Sequence, residues 1–341
     1  MADTSLIIEL SLEHSEFPLE EVRALSAMLH CTIKYENAAD GIAVVECRDE
    51  NAASFFCRRL AFAHSVSVLK GAYSSWKDLL GSSHSLRETV SGSRFRIRAS
   101  TRVGHMKAET KEMERELGRR LSEYGSVDLE GAEVEIRVFA LSSMFFAAAM
   151  RCRPDRKSLD SRKVSGRPFF SPVSLPPRYA LGLVNLCEVS EGERVLDPFC
   201  GTGGILIEAA MAGASITGSD IDGRMIGGTR KNLEKFGIRG QFELFRCDVS
   251  EIAELGKFDA VLTDPPYGRS SSTGGEGLKR LYSRAFAAIG ESLVEGGRLG
   301  IVVPDVSLVP QTKGLKLQKA IRQRVHRSLT RNFLIFRKAG G

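Results

Sequence analysis

One stretch limits the possible folds of this chain more than any other: Arg194-Val-Leu-Asp197, then Pro198-Phe-Cys-Gly-Thr-Gly-Gly204, then an apolar run over 205–212. A short aliphatic segment ends on an acid, a glycine-rich turn follows, and a helix-forming segment begins. Strand, glycine loop and helix in that order make an anion- and nucleotide-handling turn. The glycines let the backbone approach a ligand, and the helix N-terminus offers unpaired N–H groups. The turn also opens an alternating succession. Strand signals recur at 215–219, 241–248, 258–264 and 298–303, with helical segments at 177–188, 223–236 and 278–293. Such alternation specifies an α/β fold with a largely parallel sheet. A further helix is expected at 310–320, and a closing hairpin from 322–327 and 332–337.

Four of these strand signals end at acids: Asp197, Asp220, Asp248 and Asp264. An acid about twenty residues beyond the glycine loop, at the tip of the second strand, is placed to bind ribose hydroxyls. A dinucleotide site is one reading, but its fingerprint needs a third glycine. Here Gly201-Thr-Gly-Gly204 is followed by Ile, Leu and Ile, and the lead-in Asp197-Pro-Phe-Cys200 is not the apolar approach expected there. Asp264 opens Asp264-Pro-Pro-Tyr267, ahead of a loop over 268–277. Asp-Pro-Pro is an ordinary way to stop a strand and start a turn. Just past a buried strand of an open α/β sheet, it also stands where such sheets present their chemistry.

The first half has a different character. Residues 1–82 alternate short strands (6–10, 41–46, 65–69) with helices (18–30, 51–62) and read as a small α+β unit. His14, His30 and His64 stand isolated and read as structural or surface residues. A Ser/Gly-rich connection over 81–93 leads to Arg94-Phe-Arg-Ile-Arg98, a strand with one basic face. An amphipathic helix spans 107–124, and strands follow at 134–138 and 144–151. Residues 1–93 carry 8 Lys/Arg against 13 Asp/Glu, whereas 94–167 carry 17 against 11. From Val306 onward there are nine Lys/Arg and no acid. That asymmetry points to a polyanionic partner, nucleic acid above all. Seven cysteines without a Cys-x-x-Cys pair argue against a disulfide framework or a zinc site and for a reducing cytosol. No apolar run is long enough for a membrane span, and no secretory signal is evident at the N-terminus.

The order of elements and the basic strands over 1–152 resemble the THUMP module of RNA-modifying enzymes, preceded by a ferredoxin-like unit. In the second half, Asp197-Pro-Phe-Cys-Gly-Thr-Gly-Gly204, Asp220-Ile-Asp222, Asp248-Val249 and Asp264-Pro-Pro-Tyr267 resemble the amino-methyltransferases in content and order. With Arg167-Pro-Phe-Phe-Ser-Pro172 and His326-Arg-Ser-Leu-Thr-Arg331 added, the whole chain resembles the archaeal tRNA guanine N2-methyltransferases acting at position 10.

The resemblance implies a Rossmann-like, seven-stranded class I methyltransferase domain at 168–341, a linker at 153–167 and a tRNA-binding region at 1–152. It implies S-adenosyl-L-methionine as cofactor, with Cys200, Gly201 and Gly203 in the loop under its methionine end. Asp197 would orient the ammonium group, Asp220 hold the ribose, and Asp248 accept from the adenine amine, with Ile221 and Val249 packing on the ring. Asp264 and the Pro265 carbonyl would accept the two N–H bonds of the target amine, and Tyr267 would stack on the base. Arg96, Arg98, Arg151 and Arg153 would meet phosphate. No metal is implied. A cytoplasmic monomer acting on tRNA without membrane attachment is expected, and the sequence leaves a small activator subunit open. Guanine 6 of tRNA, an rRNA guanine, or a noncatalytic RNA-binding role remain as alternatives.

Overall fold

Alternation of apolar side chains along the first strand already decides how the N-terminal part packs. In β1 (Thr4–Leu10), Leu6, Ile8 and Leu10 face one layer, and Ile7 faces the other. The computed structural model describes residues 4–171, 174–240, 242–267, 277–327 and 329–340, and it divides into Met1–Pro154 and Asp155–Gly341.

In the first unit β1 is followed by α1 (Phe17–Met28), β2 (Thr32–Asn37), β3 (Ile42–Cys47), α2 (Ala52–Arg59) and β4 (Ala63–Tyr73). Then come α3 (Trp76–Gly81), α4 (Arg87–Val90), β5 (Arg94–Thr101), α5 (Thr110–Leu121), β6 (Ser126–Val127), β7 (Val134–Ala140) and β8 (Phe145–Cys152). All eight strands form one sheet, in the order β2-β3-β1-β4-β8-β7-β5-β6. The joint is β4, which pairs antiparallel with β1 along one edge and β8 along the other. Val22, Leu25 and Phe56 from α1 and α2 pack with Leu6 and Ile8, while Met113, Leu117 and Leu121 of α5 pack with Phe95, Ile97 and Val138. The expected connection at 81–93 is partly helical.

The cysteines differ from expectation. Cys31–Cys47 and Cys57–Cys152 are disulfides, with Cα separations of 4.5 and 6.2 Å, and Cys187, Cys200 and Cys247 are free. The first pair joins the start of β2 to its neighbour β3. The second joins α2 to β8, 95 residues later. Pairing across such distances leaves no signature in cysteine spacing.

The second unit comprises α6 (Arg156–Ser161), α7 (Pro177–Leu186), β9 (Arg194–Asp197), α8 (Gly204–Met211), β10 (Ser215–Asp220), α9 (Gly223–Lys235) and β11 (Phe242–Arg246). It continues with β12 (Phe258–Thr263), α10 (Leu278–Ser292), β13 (Leu293–Val303), β14 (Leu315–His326) and β15 (Leu329–Lys338). The sheet order is β11-β10-β9-β12-β13-β15-β14, parallel as far as β13 and antiparallel thereafter. The α10 residues Tyr282, Phe286 and Ile289 bury against Val261, Leu299 and Phe336 of the sheet. Among the described residues no helix is long and apolar enough to cross a membrane.

Two expectations change here. Residues 155–167 are no free linker. Asp155 caps α6 by accepting from the Ser158 N–H at 2.9 Å, and the segment groups with the second unit. The helix expected at 310–320 is absent, and Lys316 to Ala320 run within β14. Leu, Lys, Gln and Ala are good helix formers, but register with β15 overrides that weak preference. Gln241, Ser328 and residues 268–276 lie outside the described residues.

Candidate active site

The sheet reverses its winding between β9 and β12, which lie side by side with Val195 opposite Ala260 and Leu196 opposite Val261. A crevice forms at such a point beyond the strands' C-terminal ends. Asp197 ends β9, Thr263 ends β12, and Asp264 is the next residue. The Thr263 hydroxyl donates to Asp197 Oδ1 at 2.7 Å, and the Phe199 N–H donates to the same oxygen at 3.2 Å. Asp197 is only 2% exposed. Burial, with the nearby charges of Asp264 and Asp220, pushes its carboxyl up to about 7.

Burial also raises Asp264, to about 6, against the opposing pull of the Tyr267 hydroxyl and the Arg331 guanidinium. Tyr267 donates its hydroxyl to Asp264 Oδ1 at 2.5 Å. Pro265 is buried between them in sequence, and neither it nor Pro266 carries an N–H, so this turn presents acceptors and few donors. Arg331 on β15 is 5% exposed and is the cation of this cluster. Arg331 closes the segment His326-Arg-Ser-Leu-Thr-Arg331, and its sequence neighbours assign it no role. Its place beside Asp264 follows from the antiparallel return of β15, not from any local signal.

The glycine loop is held from several sides. Gly201 (φ 52°) and Gly203 (φ 76°) adopt left-handed backbone, and a Cβ on Gly203 would lie 2.8 Å from Thr229 Cγ2. Cys200 N–H donates to Ser219 O at 2.9 Å, the Thr229 hydroxyl to Gly201 O at 2.8 Å, and Asn232 Nδ2 to Thr202 O at 2.8 Å. The Asp220 carboxylate accepts from the Gly201 N–H (3.0 Å) and the Asp222 N–H (2.9 Å), tying the tip of β10 to the loop. Burial drives the Cys200 thiol well above its ordinary range, which disfavours the thiolate that a nucleophile needs. Below the loop, Arg167 Nη1 meets Thr202 Oγ1 at 3.2 Å, and Arg162 makes two 2.8 Å hydrogen bonds to fully buried Glu208 of α8. These partners come from 155–167 and were not foreseen.

The adenine-side residues are arranged unevenly. Ile221 is 57% exposed, while Val249 is buried in the core beneath α10. Asp248 caps the 3-10 helix Val249–Leu255 in a reciprocal box with Glu251, and its Oδ1 accepts from Arg284 Nη1 at 2.5 Å. The Arg284 and Ser250 contacts lower its carboxyl to about 2. Among the described residues its other oxygen has one contact, a long one to Arg284 Nη2 at 3.4 Å.

The arginines expected to meet phosphate are mostly engaged within the first unit. Arg96 bonds Glu135 Oε2 at 2.8 and 2.6 Å, Arg153 bonds Glu135 Oε1 at 2.8 Å, and Arg98 lies 3.9 Å from Glu114. Arg151 is exposed and has no ion pair among the described residues. The acids lie 16 to 39 positions away in sequence, so the basic face of β5 looked freer than it is.

Comparison with known proteins places this geometry. The family UPF0020 (RMKL-like, methyltransferase domain) matches residues 165–332. The tRNA (guanine(10)-N2)-dimethyltransferase of Methanothermobacter thermautotrophicus is 34% identical over 96% of this chain and 97% of its own. The protein of that name from Pyrococcus abyssi is 36% identical over 92% and 94%. Among solved structures, TrmN from Thermus thermophilus superposes with a TM-score of 0.56 at 22% identity, covering 98% of this chain and 99% of that one. SMU.472, solved in complex with SAH, gives 0.58 at 15% identity over 100% and 99%. At those identities the two structures establish a shared class I methyltransferase fold. The sequence relatives go further, and the chain belongs to the tRNA (guanine(10)-N2)-dimethyltransferase family.

Proposed function

We propose that this chain transfers a methyl group from S-adenosyl-L-methionine to the exocyclic N2 amine of a guanosine in tRNA, at position 10, giving the N2-methyl and then the N2,N2-dimethyl nucleoside. The observation that carries the reading is the meeting of Asp197 and Asp264 across the switch point, linked through Thr263. One acid belongs to the glycine loop and the other to an acceptor-rich turn.

The residues present fit the cofactor. Gly203 lets the loop pack against Thr229 in left-handed backbone, the Cβ side of Gly201 meets only the Phe199 carbonyl at 3.8 Å, and the α8 N-terminus follows directly. Acids at the strand tips suit the hydroxyl, amine and ammonium donors of a cationic ligand. When bound, S-adenosyl-L-methionine supplies an electrophilic methyl group. Asp197 orients the ammonium end, Asp220 the ribose hydroxyls, and Ile221 covers one face of the adenine. Asp248 has only its less engaged oxygen for the adenine amine.

The target amine is a poor nucleophile because its lone pair is delocalised into the base. Asp264 and the Pro265 carbonyl accept its two N–H bonds, which favours a more tetrahedral nitrogen with the lone pair aimed at the methyl group. The same acceptors stabilise positive charge appearing on nitrogen during transfer. Tyr267 offers its ring to the extruded base, while its hydroxyl fixes the orientation of the Asp264 carboxylate. Residues 1–152 serve as the ferredoxin-like and THUMP-type tRNA-binding region, and the protein works as a cytoplasmic monomer.

Asp264→Ala is expected to remove methyl transfer to a tRNA transcript while calorimetric binding of S-adenosylhomocysteine stays within about twofold. Near-normal turnover with tritiated cofactor overturns the assignment. Mass-spectrometric mapping of the modified transcript identifies the nucleoside, and a product at another guanosine redirects the position.

A further inference from the structure

Arg162 and Arg331 of the catalytic unit are both buried, and they are used differently. Arg162 spends its donors, with two 2.8 Å hydrogen bonds to Glu208 and a third to the Ser158 hydroxyl. Arg331 does not. Its Nε is buried without a hydrogen-bond partner, and the residue makes no contact ion pair among the described residues. Strand register places it at the catalytic end of the sheet: Thr263 lies opposite Ile301 of β13, and Val303 opposite Asn332 of β15. Asp264 and the start of β15 are thus two strands, about 10 Å, apart. Arg331 shares a strand face with Phe333, which stacks on Tyr179 of α7 with ring centroids 5.7 Å apart, so its charge lies in a poorly hydrated setting. From there it opposes the burial-driven rise of both Asp264 and Tyr267. The other titratable groups close to Asp264 are Tyr282 on α10 and, across Thr263, Asp197 on β9.

We propose that Arg331 is a positioning residue for methyl transfer, the counter-charge that acts through Asp264 and Tyr267 to hold the turn's carboxylate as an acceptor when the target base closes over it. A buried carboxylate without a balancing charge takes up a proton, and one of its oxygens then becomes a donor. A guanidinium in contact would fill the oxygens that the amine needs. One held at a remove balances the charge and leaves them open. The proposal rests on the methyl-transfer reading above and deepens it with a residue that touches neither ligand. Because Arg331 supplies charge rather than a forked hydrogen bond, lysine is expected to replace it.

Arg331→Gln and Arg331→Lys are made in the full-length protein, and methyl transfer to a tRNA transcript is followed from pH 5 to pH 9, with kcat and KM separated. Arg331→Gln is expected to move the acidic limb of kcat to higher pH. Its deficit then grows about tenfold between pH 8 and pH 5 for each pH unit the limb moves. Arg331→Lys returns the limb toward that of the wild type and recovers most of the rate. KM for tRNA and binding of S-adenosylhomocysteine stay within about twofold in both variants. Thermal denaturation gives a reading that needs no substrate: the loss of melting temperature in Arg331→Gln is larger at pH 8, where Asp264 is charged, than at pH 5. A wild-type limb in Arg331→Gln, a pH-independent deficit shared by both variants, or a melting loss no larger at pH 8 than at pH 5 overturns the proposal. If Arg331→Gln no longer binds S-adenosylhomocysteine, Arg331→Lys decides: a retained limb and rate support the counter-charge, and a folded but inactive protein refutes it. A wild-type protein that transfers no methyl group to tRNA would instead refute the substrate reading, and the melting comparison would still test the charge pairing.

Discussion

Asp264 has two demands placed on it: burial that favours its neutral form, and a proposed role that needs the charge. Its carboxyl is raised from 3.8 to about 6, so methyl transfer is expected to rise about tenfold per pH unit up to about 6 and then level off. Removing the Tyr267 hydroxyl removes a hydrogen bond that stabilises the carboxylate. Tyr267→Phe is therefore expected to move this acidic limb to higher pH, so its rate deficit is larger at pH 6 than at pH 8. A pH–rate profile of the two proteins checks this. The effect on stability has the opposite sense. Asp197 and Asp264 both bind protons more tightly in the fold than in the unfolded chain, so their contribution weakens the fold as pH rises from about 4 through 6 to 7. At this scale the acids were legible, because a strand tip is marked by the end of an apolar run. Their partners were not: Thr263 meets Asp197 from 66 positions away, and Arg331 reaches Asp264 from another strand.

Among the elements, the glycine loop matched its sequence signature because glycine is chosen there for backbone geometry that can be read locally. Gly203→Ala combines a left-handed φ with a contact of 2.8 Å to Thr229 Cγ2. It is expected to cost about 2–3 kcal/mol and to weaken S-adenosylhomocysteine binding at least tenfold. Gly192→Ala, with φ of 81° but open space around its Cβ, isolates the strain alone at about 1–2 kcal/mol and is expected to leave that binding intact. Thermal denaturation and calorimetry on both variants test the comparison. In contrast, the segment 310–320 reads as helix, whereas β14 begins at Leu315. Its residues favour helix locally, and only the ladder with β15 makes it a strand.

At the scale of the molecule, the functional boundary lies earlier than composition suggested. The basic, turn-rich segment 153–167 reads as a linker, yet it supplies Arg162 to buried Glu208 and Arg167 to the back of the glycine loop. A chain of residues 155–341 is expected to fold and bind S-adenosylhomocysteine, with tRNA affinity strongly reduced. A chain of residues 168–341 leaves the Glu208 carboxylate buried without Arg162 and is expected to lose about 3–5 kcal/mol. Circular dichroism melts and calorimetry of the two fragments distinguish these outcomes. Equal stability would show that Glu208 finds another solution.

Thr263 has a second effect, on the charge of Asp197. Its hydroxyl donates to Asp197 Oδ1 and pulls that carboxyl down, against the burial and the nearby Asp264 charge that raise it. Thr263→Val is therefore expected to leave Asp197 more firmly neutral, the side of the balance that burial favours. The strand that ends in the acceptor turn thus also sets the charge of the acid at the glycine loop, and a change at position 263 reaches both sides of the crevice.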